Sequence, residues 1–282
     1  MSDHITRRTF LGAMSAAGIC ATGSTLAEEA GGKPKPGIID CHVHLKHGDA
    51  ARTEWPADAI VEIMDKAGID RSIVFAMSTT TARSIEMAKA AVEKHPRRLI
   101  PFLYALPSYE RPVLKEIETA ISEGRFRGIK IHAGECTLAE YIIDPVLRLA
   151  GSFPVPCLID CAGNSAVAAR MAEAFPHTPL LYAHMGRYFS TDAGLIEQFI
   201  RVAEKFDNVY LDLSAVALVY KIDEAAKRLG ARRLVWGTDG PYKNPDAISY
   251  ARNELEKVRQ LKLSDADTEL ILGGNIARLL NL

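Results

Sequence analysis

Asp40-Cys41-His42-Val43-His44 sets two imidazoles two residues apart, directly after the apolar run Gly37-Ile38-Ile39. Side chains alternate along a strand, so Asp40, His42 and His44 are expected on one face, with Cys41 and Val43 on the other. Two imidazoles placed this way at a strand end can both reach one divalent cation at about 2.0–2.1 Å. A second apolar run, Leu234-Val235-Trp236-Gly237-Thr238, ends in Asp239. A carboxylate closing a buried strand costs several kcal/mol unless a metal or a histidine answers it. A third run, Leu181-Tyr182-Ala183, ends in His184. The chemistry such a set could do is metal-assisted attack on a carbonyl. The cation would lower the pKa of water to about 7, Asp239 would accept its proton, and His184 would stabilise the developing charge.

Other groups lie at comparable positions. Lys130 and His132 share one face of the run 128–132. Lys130 can pair with a strand-end carboxylate such as Asp160, and His132 can bind substrate or line the mouth. His47, in the loop after the first strand, reads as solvent-facing. Arg187, Tyr242 and Lys243 follow directly on strands and could clamp a substrate carboxylate. Cys41 and Cys157 are expected against outer helices, while Cys136 and Cys161 could be bridged in an oxidising compartment.

These groups can act together only if their strands end at one rim. Apolar runs at 37–42, 71–77, 99–104, 128–132, 157–160, 180–184, 209–213 and 234–238 alternate with amphipathic stretches at 57–67, 81–94, 111–123, 144–151, 165–174, 192–205, 222–229 and 245–261. Strand ends near 44, 77, 104, 132, 160, 184, 213 and 239 recur at steps of 24 to 33 residues, each long enough for a strand, a helix and two short loops. Eight strands separated by helices predict an α/β fold, a (β/α)8 barrel with extra C-terminal helices, whose chemistry sits at the C-terminal ends of the strands. No Gly-rich phosphate loop follows the first strand, as an open doubly wound sheet would favour. After a polar break at 264–267 another helix starts, Gly273-Gly274 punctuates it, and Asn275 reads as the N-cap of a last turn.

The ordered set IIDCHVHL, GIKIH, YAHMG, VYLDLS and WGTDGP, with the terminal SDADTELILGGNIARLLNL, resembles the amidohydrolase-related metal-dependent hydrolases over roughly residues 37–282. That resemblance implies a distorted barrel with one divalent metal at its mouth, most often zinc, with manganese as the alternative. It implies His42 and His44 as first-strand ligands, Asp239 as ligand and proton shuttle, and His184 as the group that polarises substrate or positions water. In binuclear relatives a lysine in the Lys130 context is carbamylated and bridges two metals. One position departs from the family: Pro156-Cys157-Leu158-Ile159-Asp160 carries Asp160 where relatives carry a metal-binding histidine. Asp160 can replace the imidazole as a carboxylate ligand, the site can hold metal weakly or not at all as in metal-independent lactone hydrolysis, or the barrel can have kept its shape and lost the chemistry. The expected activity is hydrolysis of a small amide, ester or lactone, with decarboxylation by the same ligand set or a non-catalytic accessory role as rivals. Lys130, His132 and Arg187 are the candidate substrate contacts.

The first 30 residues are set apart as an address label. Arg7-Arg8, the apolar pair Phe10-Leu11 and an uncharged run to Ala27 resemble a twin-arginine export signal, implying the translocation machinery as a partner and a periplasmic or otherwise exported destination. Cleavage after Ala27 would leave 255 residues, a usual length for an eight-fold barrel. The run is too short and mild to span a bilayer stably. With 34 Lys+Arg against 35 Asp+Glu and a net charge of -1, nothing draws the chain to nucleic acid. At 48% hydrophobic and 24% charged residues it is neither disordered nor a disulfide scaffold. A small molecule is the expected partner, and oligomeric state is not legible.

Overall fold

A computed structural model describes residues 37–282. The export signal and the domain boundary expected near residue 30 lie outside the described residues. All nine described strands pair in parallel. β1 (Ile39–Lys46), β2 (Arg71–Ala76) and β3 (Leu99–Pro101) form one sheet. β4 (Leu103–Tyr104), β5 (Ile129–His132), β6 (Cys157–Asp160), β7 (Leu180–Tyr182), β8 (Val209–Asp212) and β9 (Leu234–Val235) form a second, in chain order. The Phe102 N–H donates to the Val74 carbonyl (3.0 Å), tying the sheets where the third apolar run breaks in two. On the other side β1 bonds to the segment after β9: Cys41 N–H to Trp236 O (3.1 Å), Asp239 N–H to His42 O (2.8 Å) and His44 N–H to Gly240 O (2.7 Å).

Helices fill the intervals between strands, among them α1 (Ala57–Ala67), α2 (Thr81–Lys94), α3 (Leu114–Ser122), α4 (Glu140–Ser152), α5 (Ser165–Ala174), α6 (Ala193–Lys205), α7 (Val219–Leu229) and α8 (Ala247–Arg259). Thr80, Asn164, Asp192 and Asp246 each cap the following helix by accepting a first-turn N–H, which satisfies donors the helix cannot. α4 starts a turn earlier than the sequence suggests, because Pro145 sits inside it rather than at its start. No helix among the described residues is long and apolar enough to cross a membrane.

Two apolar layers result. Val43, Leu45, Val74 and Leu103 pack with Ile60, Met64 and Ala88 between strands and helices. Ile39, Cys41, Ile73, Phe75, Phe102, Leu158 and Leu181 meet one another on the face away from those helices. The chain ends in α9 (Asp265–Glu269), a wide turn at Leu270–Gly274 and α10 (Asn275–Leu279), whose Ile276 packs into the second layer. Asn275 caps nothing; fully buried, its Nδ2 donates to the Ala231 and Leu234 carbonyls, so the helix runs through. Gly273 is required there, since a Cβ would lie 2.0 Å from the Gly37 carbonyl oxygen. The terminal helices therefore press on the N-terminal end of β1, leaving the strands' C-terminal ends for chemistry.

β1 breaks the expected alternation. Asp40 pairs with Ser72 and Val43 with Val74, so Cys41 and His42 together oppose the single residue Ile73 and the strand bulges there. Cys41 and His42 both turn to the inner face, contrary to the expectation that Cys41 meets outer helices. Asp40 leaves the face of His42 and His44. It accepts the His42 N–H (3.0 Å), the Thr238 N–H (2.9 Å) and the Thr238 hydroxyl (2.7 Å). Burial raises its carboxyl to about 7, against those bonds. Asp40 is a clamp between β1 and the segment after β9.

Candidate metal centre

Three imidazoles converge on one oxygen. His42 Nε2 lies 2.9 Å from Asp239 Oδ1, His44 Nε2 3.0 Å and His184 Nε2 3.9 Å. His42 Nδ1 faces Asp212 Oδ2 at 2.8 Å, and His184 Nδ1 faces the Ser214 carbonyl at 2.9 Å. Both partners only accept, so each Nδ1 carries the hydrogen and each Nε2 presents a lone pair. Ser214 adds its hydroxyl, which donates to Asp212 Oδ2 (2.6 Å). Lone pairs and a carboxylate gathered this closely need a positive species among them. Lys130 Nζ, 3.0 Å from His42 Nε2, supplies one. Ligand atoms of His42, His184 and Asp239 lie within 4.8 Å of one another, and all three residues are buried. Nitrogen and carboxylate donors with Nδ1–H held from behind suit zinc or manganese. The donor set fits a divalent cation.

The electrostatics follow from burial and these contacts. Burial and Lys130 push the His42 imidazole down, but Asp239 and Asp212 outweigh them and leave it raised. His44 is lowered to about 3, chiefly by burial, and its Nδ1 has no hydrogen-bond partner among the described residues. His184 is lowered by burial. Burial opposes ionisation of Asp239, yet His42 and His184 hold it well below the usual carboxylate range. Burial lowers the Lys130 ammonium against the pull of Asp160 and Asp239. The Tyr242 hydroxyl donates to Asp239 Oδ2 (2.7 Å), leaving Oδ1 to the imidazoles. Asp239 and His184 both hold left-handed backbone, with φ of 61° and 59°. β7 stops at Tyr182 for this reason, two residues before the strand end read from sequence. Strained non-glycine backbone costs about 1–3 kcal/mol per residue and persists where surrounding structure over-determines it.

A cavity of about 370 Å³ opens on this cluster, lined by His44, Lys130, His132, Asp160, His184, Asp239, Tyr188 and Tyr242 among others. A larger groove of about 930 Å³ between α2 and α3 is lined by residues such as Ile85, Val113 and Phe126 and is remote from the titratable cluster.

Asp160 lies in the same cavity but outside the tight three-residue group among the described residues. Its Oδ2 is 3.3 Å from His132 Nε2 and 3.7 Å from His184 Nε2, and its Oδ1 accepts the Ala162 N–H. Burial resists its ionisation, but the His132 bond, His184 and Lys130 lower its carboxyl below the usual range. His132 accepts the Gly134 N–H at Nδ1, so its Nε2 hydrogen points to Asp160. Lys130 sits on His42 rather than pairing directly with Asp160.

Arg187 is exposed and, unlike its neighbour Tyr188, is not among the cavity-lining residues. Lys243 lies over the Trp55 ring instead. His47 is not solvent-facing: it is buried, its Nε2–H donates to the Pro241 carbonyl (2.8 Å) and its ring stacks on His44 at 4.5 Å. Cys136 and Cys161 are free thiols. Sequence reasoning missed Asp212, Ser214, Glu135 and Tyr104. Asp212 had the same signal as Asp239, an acid closing the apolar run Val209-Tyr210-Leu211.

No curated protein matches the chain in sequence. Among solved structures it resembles 5-carboxyvanillate decarboxylase from Sphingomonas paucimobilis (TM-score 0.65, 16% identity, covering 88% of this chain and 99% of that one). It also resembles a dihydroxybenzoic acid decarboxylase from Polaromonas with bound manganese and 2-nitroresorcinol (TM-score 0.65, 16% identity, 87% and 97%). A third is a probable 2-pyrone-4,6-dicarboxylic acid hydrolase from Acinetobacter baumannii with citric acid bound (TM-score 0.67, 15% identity, 87% and 100%). At such identities the likeness is one of fold. The amidohydrolase family model, however, matches residues 39–282, nearly all of the described chain. The protein therefore belongs to the amidohydrolase family and is an enzyme of that superfamily.

Proposed function

We propose that the chain is a metal-dependent hydrolase of a small amide, ester or lactone, working from the mouth of a distorted (β/α)8 barrel. The closing seam is read from the bonds that join β1 to the segment after β9. One observation carries the functional reading: Asp239 Oδ1 stands 2.9, 3.0 and 3.9 Å from three imidazole Nε2 atoms. His42, His184 and Asp239 would hold the cation, with His44 against the same oxygen and Asp160 as a further carboxylate ligand from β6. A bound zinc or manganese ion would supply Lewis acidity at the carbonyl and lower the pKa of water. Asp239, held ionised and oriented by the Tyr242 hydroxyl, accepts the proton of the attacking water and returns it to the leaving group. His184, neutral and buried with its hydrogen on Nδ1, offers its Nε2 lone pair to the cation or accepts a hydrogen from the attacking water and so positions it. His132 lines the pocket for substrate.

Decarboxylation is the second reading, favoured by the two decarboxylases of similar fold, one with manganese. Hydrolysis is preferred because Asp49, Glu135, Asp160 and Asp239 all line the cavity. An acid losing CO2 must keep its own carboxylate charged among them, which like-charge repulsion disfavours. The resemblance of residues 1–27 to a twin-arginine signal supports a further proposal, that the enzyme is exported after folding with its metal.

The test is elemental analysis of protein purified without chelators, followed by assay in ¹⁸O-water. Stoichiometric zinc or manganese that is lost in His42→Ala is expected. So is ¹⁸O incorporation into product, with kcat/KM falling about 10²–10⁴-fold in Asp239→Asn. CO2 release without ¹⁸O uptake would establish decarboxylation instead. Wild-type turnover by Asp239→Asn would overturn both.

A further inference from the structure

The cavity has a second wall that the proposed chemistry does not use. Glu135, in the turn after β5, is held from three sides. Its Oε2 accepts the Ser78 N–H (3.1 Å) and the Tyr104 hydroxyl (2.6 Å), and its Oε1 accepts the Ser78 hydroxyl. Tyr104 is fully buried, and burial together with Glu135 raises its phenol, so it stays a donor. Gly48 packs against this seat: a Cβ there would stand 2.7 Å from Ser78 Oγ and 3.1 Å from Glu135 Oε1. No side chain at 48 can therefore cover the carboxylate without displacing it.

The charges around it are unequal. Asp239 is answered by imidazoles and Asp160 by His132. Among the described residues, the only Lys or Arg lining the cavity, Lys130, is spent on His42 Nε2. Among the described residues no Lys, Arg or His pairs with Glu135. An anchor for the turn would not need a charge, because an amide could make the same three-sided contact. A carboxylate fixed in place on a cavity wall and left without a cation is arranged for a cation that arrives with the ligand.

We propose that the substrate carries a protonated amine, seated against Glu135 while its carbonyl lies at the His42–Asp239 cluster. This rests on the hydrolytic reading above and adds the charge of the substrate to it. It sets the protein apart from the acids named for the structures of similar fold.

The test pairs isosteric probes on the whole protein. Calorimetry with 6-aminohexanamide and heptanamide reads binding; hydrolysis of ethyl 6-aminohexanoate and ethyl heptanoate reads turnover. Wild type is expected to favour the amine of each pair about tenfold, a preference that drops to near unity in Glu135→Gln. Glu135→Lys should turn the preference towards adipic acid monoamide. Equal wild-type affinity for the two amides overturns the proposal, whatever the variants do, and so does a preference that survives Glu135→Gln in protein of native circular dichroism. Amine-selective binding without turnover of either ester would retain the seat and discard the hydrolase reading. Turnover of both esters without selectivity would do the reverse.

Discussion

The two walls of the cavity are built on opposite principles. On the first, from β1, β8 and the turns after β7 and β9, carboxylates meet imidazoles: Asp212 and Asp239 grip His42 from its two nitrogens, and Ser214 ties His42 to His184. These groups are 0–4% exposed, and the backbone of His184 and Asp239 is strained. On the second, from β4, β5 and β6, Glu135 is held by neutral donors and Asp160 by the half-buried His132, with His184 reaching it from the first wall, and both carboxylates line the open cavity. A closed network of ligands fixes a cation, whereas an open carboxylate selects what comes in. The difference separates the reaction from its specificity within one cavity.

If that separation is real, the largest single effect on the first wall should come from a residue that touches no substrate. Asp212→Ala removes the acceptor behind His42 Nδ1 and leaves a buried network short of a charge. Breaking one partner from a buried pair costs about 3–5 kcal/mol, and loss of a group behind a metal-binding histidine costs about 10–100-fold in metal affinity. Denaturant unfolding and zinc titration measure the two. Glu135→Gln, on the second wall, should leave zinc affinity where it was. Equal losses of zinc affinity in both variants would merge the walls into one unit.

A smaller effect probes what stands behind the first wall. Glu254 of α8 is 3% exposed; it accepts the Ala215 N–H and the Lys257 ammonium, next to the turn that carries Ser214. Burial lifts its carboxyl to about 7, against the pull of Lys257, from an ordinary 4.5. Between those values the folded protein keeps a proton that the unfolded chain has shed, so stability falls as pH rises from 4.5 through 7. The loss from this group is about 2 kcal/mol between pH 5 and pH 7. Glu254→Gln should flatten the melting temperature over that range. An unchanged slope would show that Glu254 ionises normally and that the first wall does not lean on a neutral carboxyl.

The same contrast explains what the sequence made legible. Helices 57–67, 81–94 and 165–174 stand where their periodicity puts them, because apolar spacing and a capping Thr or Asn are local signals. His42, His44, His184 and Asp239 were each visible as a polar residue closing an apolar run. What failed was what depends on partners far away in the chain. The bulge at Cys41-His42 is set by pairing with β2, so strict alternation wrongly kept Asp40 beside the histidines. Asp212 meets His42 across 170 positions, and no local pattern announces that contact. His47 looked like a loop histidine because the Pro241 carbonyl and the rings of His44 and Tyr242 that bury it come from elsewhere. Asp160, the departure from the family pattern, faces both walls through His184 and His132.

The smallest effect isolates the second wall alone. Tyr104→Phe deletes one of three donors to Glu135 and nothing else, since its ring stays in the interior. Glu135 is only half-buried, so water can replace the lost hydroxyl, and the stability cost should be about 1 kcal/mol. The carboxylate keeps its charge but gains freedom to swing on the two remaining bonds from Ser78. The amine preference should then weaken by a factor of a few, through KM rather than kcat, while zinc content stays stoichiometric. A fall in kcat with KM unchanged would mean that Glu135 reaches the reacting atoms, and that selection and reaction share a single wall after all.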